Sequence, residues 1–259
     1  MTALDMAATA IACNASRTAQ AVFGEGRVAI FQRKASSKGW SLHATLPADD
    51  LCITQLCWAP AEFGRVIAGG TADGSVVVWQ ETPGEQGSWR LVAALKEATL
   101  AVLDVAFAPP PLGPLLAVAY ADGFVRLFVA SSELAPASWE LQNHFQIGIG
   151  SGADYGGRPV ADVAWAPAMG RPCDVVAVAA GATVLLWELW GTADGLQSRQ
   201  LVRLQHATPV WQVAWNPLGN WLAASIEGRE VCMWRPDLGG EWLLLSRFAA
   251  APKNKTDTE

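Results

Sequence analysis

The stretch from Leu51 to Leu95, LCITQLCWAPAEFGRVIAGGTADGSVVVWQETPGEQGSWRLVAAL, carries a cadence that returns along most of the chain. An apolar strand closes on Trp58-Ala59-Pro60, and a link through Gly64 leads into Arg65 to Gly69. Asp73-Gly74 then turns the chain into Val76 to Trp79, and Trp89 opens a fourth strand. Asp-Gly between two apolar runs predicts a hairpin with a type I′ turn, which needs positive φ at both central positions. The inner runs Val66-Ile67-Ala68 and Val76-Val77-Val78-Trp79 are apolar at every position. Both faces of this small sheet must therefore be covered, as in a stack of similar sheets.

The cadence can be counted. The aromatic that ends the third strand recurs as Phe31, Trp79, Phe128, Trp187 and Trp234, at separations of 48, 49, 59 and 47. The close of the first strand recurs as Trp58-Ala59-Pro60, Phe107-Ala108-Pro109, Trp165-Ala166-Pro167 and Trp215-Asn216-Pro217. Five four-strand units with a period slightly above the ~40–45 residues of a WD-type blade predict an all-β, WD-repeat β-propeller.

In chain order, the expected propeller occupies 1–248, with blades at about 1–47, 48–97, 98–147, 159–205 and 206–248. A Gly-rich linker is expected at 148–158 and a disordered tail at 249–259. The apolar start, Ala3 to Ala15, lacks a basic n-region, because Asp5 precedes the first cation, Arg17. It reads as a first strand rather than a signal peptide. The uncharged run from Val175 to Trp187 contains Gly181 and is too short to span a bilayer, so it reads as two buried strands without membrane insertion.

Bulk properties agree with a single all-β domain: 259 residues, 51% hydrophobic and 16% charged. A net charge of −6 leaves no basic footprint for a phosphate backbone, which argues against direct nucleic-acid binding. Five cysteines form an odd set without C-x-x-C spacing and mostly occupy apolar strand positions. They read as buried reduced thiols and favour an intracellular compartment.

No catalytic constellation stands out. Asp104 and Asp162 stand three residues before the aromatic of a first strand, and Asp73-Gly74 and Asp122-Gly123 stand in hairpin turns. Residues that track the repeat serve the architecture, and spacing places no second carboxylate beside any of them for acid/base work. His43, His144 and His206 are isolated, so neither a metal nor a cofactor is expected. His206 stands where WD repeats often carry a His that hydrogen-bonds to the blade turn. Trp79, Trp165, Trp187, Trp215 and Trp234 read as core rather than as aromatic cages.

WAPAEFGRVIAGGTADGSVVVWQE and FAPPPLGPLLAVAYADGFVRLFVASSELAPASWELQ resemble blades of the SEH-type nucleoporin, the small propeller of the Y-shaped coat of the nuclear pore. VADVAWAPAMGRPCDVVAVAA and VWQVAWNPLGNWLAAS are similar to later blades of that family and of its sibling, the SEC-thirteen type shared by the pore and the COPII vesicle coat. The spacer from Ala121 to Trp139 favours the SEH type. The resemblance implies a scaffold without enzyme activity that supports protein and mRNA transport at the nuclear envelope. It would bind other coat subunits and an α-solenoid nucleoporin that inserts an extra blade in trans. It also allows membership of a lysosomal or vacuolar nutrient-signalling coat. The family has six blades and an open ring. Five repeats are legible here, and the linker at 148–158 stands where the family's fourth blade would be.

Because the first and last units each own four strands, no terminal strand is expected to latch the ring. The outward faces of these two blades, carrying Leu4, Met6, Val28, Ile30, Val213, Trp215, Met233 and Trp234, are expected to be apolar, partly wet and open to a partner.

Overall fold

The computed structural model describes residues 8–33, 39–48, 50–130, 139–146, 160–168, 170–193 and 195–249. Leu4 and Met6, the Gly-rich segment at 148–158 and the expected tail beyond Ala249 lie outside the described residues.

Twenty strands form five antiparallel sheets. The first sheet is β1 (Ala10–Cys13), β2 (Ala19–Gly24), β3 (Arg27–Arg33) and β4 (Trp40–Leu46). The second is β5 (Ile53–Trp58), β6 (Val66–Thr71), β7 (Ser75–Glu81) and β8 (Trp89–Lys96). The third is β9 (Val102–Phe107), β10 (Leu115–Tyr120), β11 (Phe124–Ala130) and β12 (Trp139–Gln146). The fourth is β13 (Val160–Trp165), β14 (Asp174–Ala180), β15 (Thr183–Thr192) and β16 (Gly195–Gln205). The fifth is β17 (Val210–Trp215), β18 (Leu222–Ile226), β19 (Glu230–Pro236) and β20 (Trp242–Ala249). Among the described residues the only helical pieces are two 3₁₀ turns, Ala61–Phe63 and Pro110–Leu112, each set by a proline at its start and a positive-φ glycine at its end.

Every sheet takes its four strands consecutively, and the sheets stack in chain order through their first strands, β1 on β5, β5 on β9, β9 on β13 and β13 on β17. Among the described residues no comparable packing joins the first sheet to the fifth. The propeller is open, and among the described residues no strand is exchanged to close it.

Each seam repeats one arrangement. The strands β5, β9, β13 and β17 have six residues each, with a bulge at the second. The fourth residue, Leu56, Val105, Val163 or Val213, is a buried aliphatic that packs on the preceding sheet. The sixth is Trp58, Phe107, Trp165 or Trp215. Each of the three indoles donates Nε1–H to a backbone carbonyl of the preceding first strand: Trp58 to Ala12 at 3.1 Å, Trp165 to Ala106 at 3.1 Å and Trp215 to Ala164 at 3.0 Å. These indoles lie at the seam rim and are half-buried, as are Trp187 and Trp234, whereas Trp79 is fully enclosed. The expectation that all five are core therefore holds in full for Trp79 alone.

The preceding sheet supplies a socket of four side chains on its second and third strands. The register makes the sockets equivalent: Ala21, Phe23, Val28 and Ile30 in the first sheet, and Ala68, Gly70, Val76 and Val78 in the second. Ala117, Ala119, Val125 and Leu127 form the third, and Ala177, Ala179, Val184 and Leu186 the fourth. All sixteen residues are buried. Small residues on the second strand let the next sheet approach closely. A Cβ added at Gly70 would stand 2.3 Å from Val102 Cγ1.

Asp104 and Asp162, third in their strands, bind the seams from the inner side. Asp104 Oδ2 accepts the Val163 N–H at 2.9 Å, and Asp162 Oδ2 accepts the Val213 N–H at 2.6 Å. The two carboxyls also act on each other across the seam of the third and fourth sheets. Spacing along the chain did not indicate this pair, because 58 residues separate two positions that the stacking of repeats brings side by side. Burial first, and then the facing Asp162, hold Asp104 well above the ordinary carboxylate range. Burial raises Asp162 as well.

Two further expectations are corrected. Asp73 and Asp122 do not have positive φ; only Gly74 (86°) and Gly123 (85°) do. These are three-residue turns with a glycine bulge rather than type I′ turns. The carboxylates brace the turns from outside: Asp73 accepts from Thr71, Ser75 and Lys96, and Asp122 accepts from the Phe124 N–H and Arg126. The Thr71 hydroxyl, followed by Lys96, holds Asp73 far below the usual range. The positive-φ pair occurs instead at Glu25-Gly26, between β2 and β3. All five thiols are free; Cys232 is buried, Cys57 and Cys173 are half-buried, and Cys13 and Cys52 are exposed.

Gly70→Ala forces the second and third sheets apart and lowers the denaturation midpoint, and Trp79→Ala costs about 3–5 kcal/mol in denaturant unfolding. The carboxyl pair has a signed pH effect. A folded-state pKa raised above the unfolded value means the folded chain keeps a proton that the unfolded chain has lost. Its stability contribution is full below about pH 4 and declines as pH rises toward the raised value. Asp104→Asn preserves an acceptor for Val163. Its unfolding midpoint is therefore expected to exceed that of the wild type increasingly from pH 5 to pH 8.

Candidate partner-binding face

The fifth sheet carries the same socket in register: Ala223, Ser225, Val231 and Met233. No sheet fills it among the described residues. In the second and third sheets every residue of the second strand is buried, whereas β18 alternates, with Leu222, Ala224 and Ile226 buried and Ala223 and Ser225 half-buried. The buried set faces the fourth sheet, and the half-exposed set faces outward. Val231 is 37% exposed, against complete burial of its equivalents Val76, Val125 and Val184. Around the socket, Trp211, Leu243 and Phe248 are 61%, 48% and 56% exposed.

The polar parts of the seam are repeated here too. Gln212 occupies the third position of β17, where Asp104 and Asp162 each take a backbone N–H from the following sheet, and it is exposed. Ala214 occupies the fifth position, whose carbonyl receives an indole at Ala12, Ala106 and Ala164. The outer side of the fifth sheet thus repeats, among the described residues, the shape and polarity of the four filled seams.

The residues singled out from sequence fall on both sides of this division. Val28 and Ile30 belong to the first socket and are filled by the second sheet, and Val213 packs on the fourth sheet. These three are not free for a partner. Trp215 and Trp234 also point toward the fourth sheet and are half-buried there. Only Met233 of the described set faces outward. A one-residue change of parity moves a strand residue to the opposite face, and this is the origin of the difference. The first sheet departs from expectation as well: Val22, Ala29 and Phe31 on its outward side are buried, leaving Ile11 exposed there. The site residues missed by sequence reasoning are Gln212, Ala214, Ala223, Ser225 and Val231. Aligning all five repeats position by position, rather than only their aromatics, would have found them.

The histidines lie elsewhere. His43 is not isolated: its Nε2 lies 3.1 Å from Glu81 Oε1 and 3.3 Å from Arg65 Nη1, bridging the first two sheets. His206 is buried edge-on against Trp234, and its Nε2 has no partner among the described residues, so the expected bond to a blade turn is not formed there. Burial first, and then Arg247, lower its pKa. Among the described residues no group of three or more His, Cys, Asp or Glu could hold a metal ion, and no helix is long and apolar enough to cross a membrane.

Residues 198–235 match the WD domain, G-beta repeat family, an interval running from β16 into β19. Over 91 residues the chain is 37% identical to Protein SEH1 of Arabidopsis thaliana, covering 33% of this chain and 28% of that protein. Over about a third of its length the chain is similar to SEH/SEC13-type WD-repeat proteins. Protein transport protein SEC13 homolog A of Arabidopsis thaliana is 37% identical to it over 84 residues, covering 32% of this chain and 27% of that protein. Protein transport protein sec13 of Neurospora crassa is 32% identical over 83 residues, again covering 32% and 27%. The matched stretch spans little more than a quarter of the length of these relatives.

The filled and open sockets predict opposite responses to one substitution. Leu127→Asp buries an unpaired charge and is expected to cost more than about 4 kcal/mol. Met233→Asp, at the equivalent open position, is expected to stay within about 1 kcal/mol of wild type in the isolated chain. Denaturant unfolding of both variants checks this.

Proposed function

We propose that this propeller is a non-enzymatic scaffold subunit of the outer-ring, Y-shaped coat of the nuclear pore, joined to its coat by a partner that completes the open ring. The observation that carries the proposal is the fifth socket, built like four filled ones and left open. The occupant is the N-terminal segment of an α-solenoid nucleoporin, entering as an additional blade, as the SEH-type resemblance implies. Blade addition supplies apolar burial and edge pairing together. Covering ~500 Å² of apolar surface contributes on the order of 12 kcal/mol before association costs are subtracted. The proposed site of action is the nuclear envelope, with transport of protein and mRNA as the process served.

The similarity to SEC13 proteins supports a second reading within the same mechanical class, in which the captured solenoid belongs to a vesicle coat. A nutrient-signalling coat at the lysosomal or vacuolar surface is a third destination for the same docking face.

Co-expression with the N-terminal part of a solenoid nucleoporin is expected to yield a stoichiometric complex and a higher unfolding temperature. Met233→Asp is expected to abolish co-purification. Leu91→Asp, at an exposed leucine of β8 far from the gap, is expected to leave it intact. Exclusive capture of a vesicle-coat solenoid would select the SEC13-type reading. A chain that gains nothing from any solenoid would exclude completion in trans.

A further inference from the structure

The four occupied seams define what the open one accepts, and this deepens the docking reading above, on which it rests. At each occupied seam the incoming first strand puts an aliphatic residue at its fourth position into the socket. At three of the four it adds an indole at the sixth position, which donates to the carbonyl of the preceding strand's fifth residue. At the last two seams the incoming fourth-position N–H also donates to a side-chain oxygen at the preceding strand's third position. We propose that the occupant of the fifth socket is a β-strand segment with an aliphatic residue followed two positions later by tryptophan. Its indole N–H bonds the Ala214 carbonyl, and its aliphatic residue's N–H bonds the Gln212 side chain.

The same rule says why the chain's own first sheet is a poor occupant. Trp58 donates to Ala12, which makes Ala12 the fifth position of that strand and Cys13 the sixth. A thiol there is too short to reach across a seam in the way an indole does. The aliphatic fourth position is kept as Ile11, which is 59% exposed and therefore seated in no socket. The first strand thus carries half of the docking pattern and lacks the donor half. The strand that fits best is one like β13 or β17, with V-x-x-V-A-W spacing.

The test uses this chain as its own probe. A second copy of residues 206–249 is joined directly after Ala249, which reproduces the four-residue link that leads from β16 into β17. The extended chain is expected to unfold at higher temperature than the original. Trp215→Phe in the appended copy alone is expected to lose part of that gain. Gln212→Asp in the original copy, which imitates Asp104 and Asp162, is expected to increase it. If the appended blade stabilises the chain but neither substitution changes the gain, the strand rule is wrong and the docking face stands. If the appended blade gives no stabilisation, the docking face itself is refuted. Should the extended chain fail to fold, a peptide fragment of the β17 sequence, Val210–Trp215, is titrated into the 259-residue chain instead. No measurable binding of that fragment would then overturn the proposal.

Discussion

Everything in this propeller depends on how one sheet seats on the one before it. An aliphatic side chain at the fourth position of a six-residue strand enters a socket of small and β-branched residues, and an indole at the strand's end ties the two first strands together. A four-stranded sheet of this size has little core of its own, so burial on both faces is a requirement for stability rather than a refinement. Any stack built this way has two terminal faces. It is stable only if those faces meet, are covered from within, or are covered by something else.

The two ends of this stack meet that requirement differently. The first sheet covers Val22, Ala29 and Phe31 within the chain, while the fifth leaves Ala223, Val231 and Met233 accessible. The open end is therefore directional. It offers a socket, two acceptors and no aliphatic fourth-position plug, so its complement is a plug. Socket-to-plug polarity along the ring sets the orientation of any added blade as well as its presence, which makes the docking face suited to a single-pose architectural joint.

The repeat, the strand order and the apolar inner strands were all legible in the sequence, because they follow from a period and from local hydrophobic pattern. Parity was less accessible. Val28 and Met233 are both apolar third-strand residues in corresponding sockets, and nothing local distinguishes them. One is buried and the other accessible only because a sheet follows the first and none follows the fifth. Turn type was misread for a related reason. Asp-Gly is compatible with both type I′ and bulged turns, and the bonds from Thr71 and Ser75 to Asp73 choose between them. The Asp104–Asp162 contact was invisible for the opposite reason, since it is long in sequence and short in space.

That contact also shows how a repeat can be tuned without being broken. The third position of the first strand is Gln55, Asp104, Asp162 and Gln212 in successive sheets, amides outside and acids in the middle. Cys57, from β5, is the other titratable group acting with Asp104, and burial pushes its thiol up to about 12, so it brings no charge at neutral pH. No cation contributes to the environment of either carboxyl. An isolated acid at this position would be driven toward the neutral form by burial alone. Here the facing Asp162 raises Asp104 further, while each acid keeps an oxygen for a backbone N–H of the following sheet. The chain thereby links β9, β13 and β17 through a continuous line of hydrogen bonds at the inner rim. The line ends at Gln212, on the face where the next N–H would have to come from another chain.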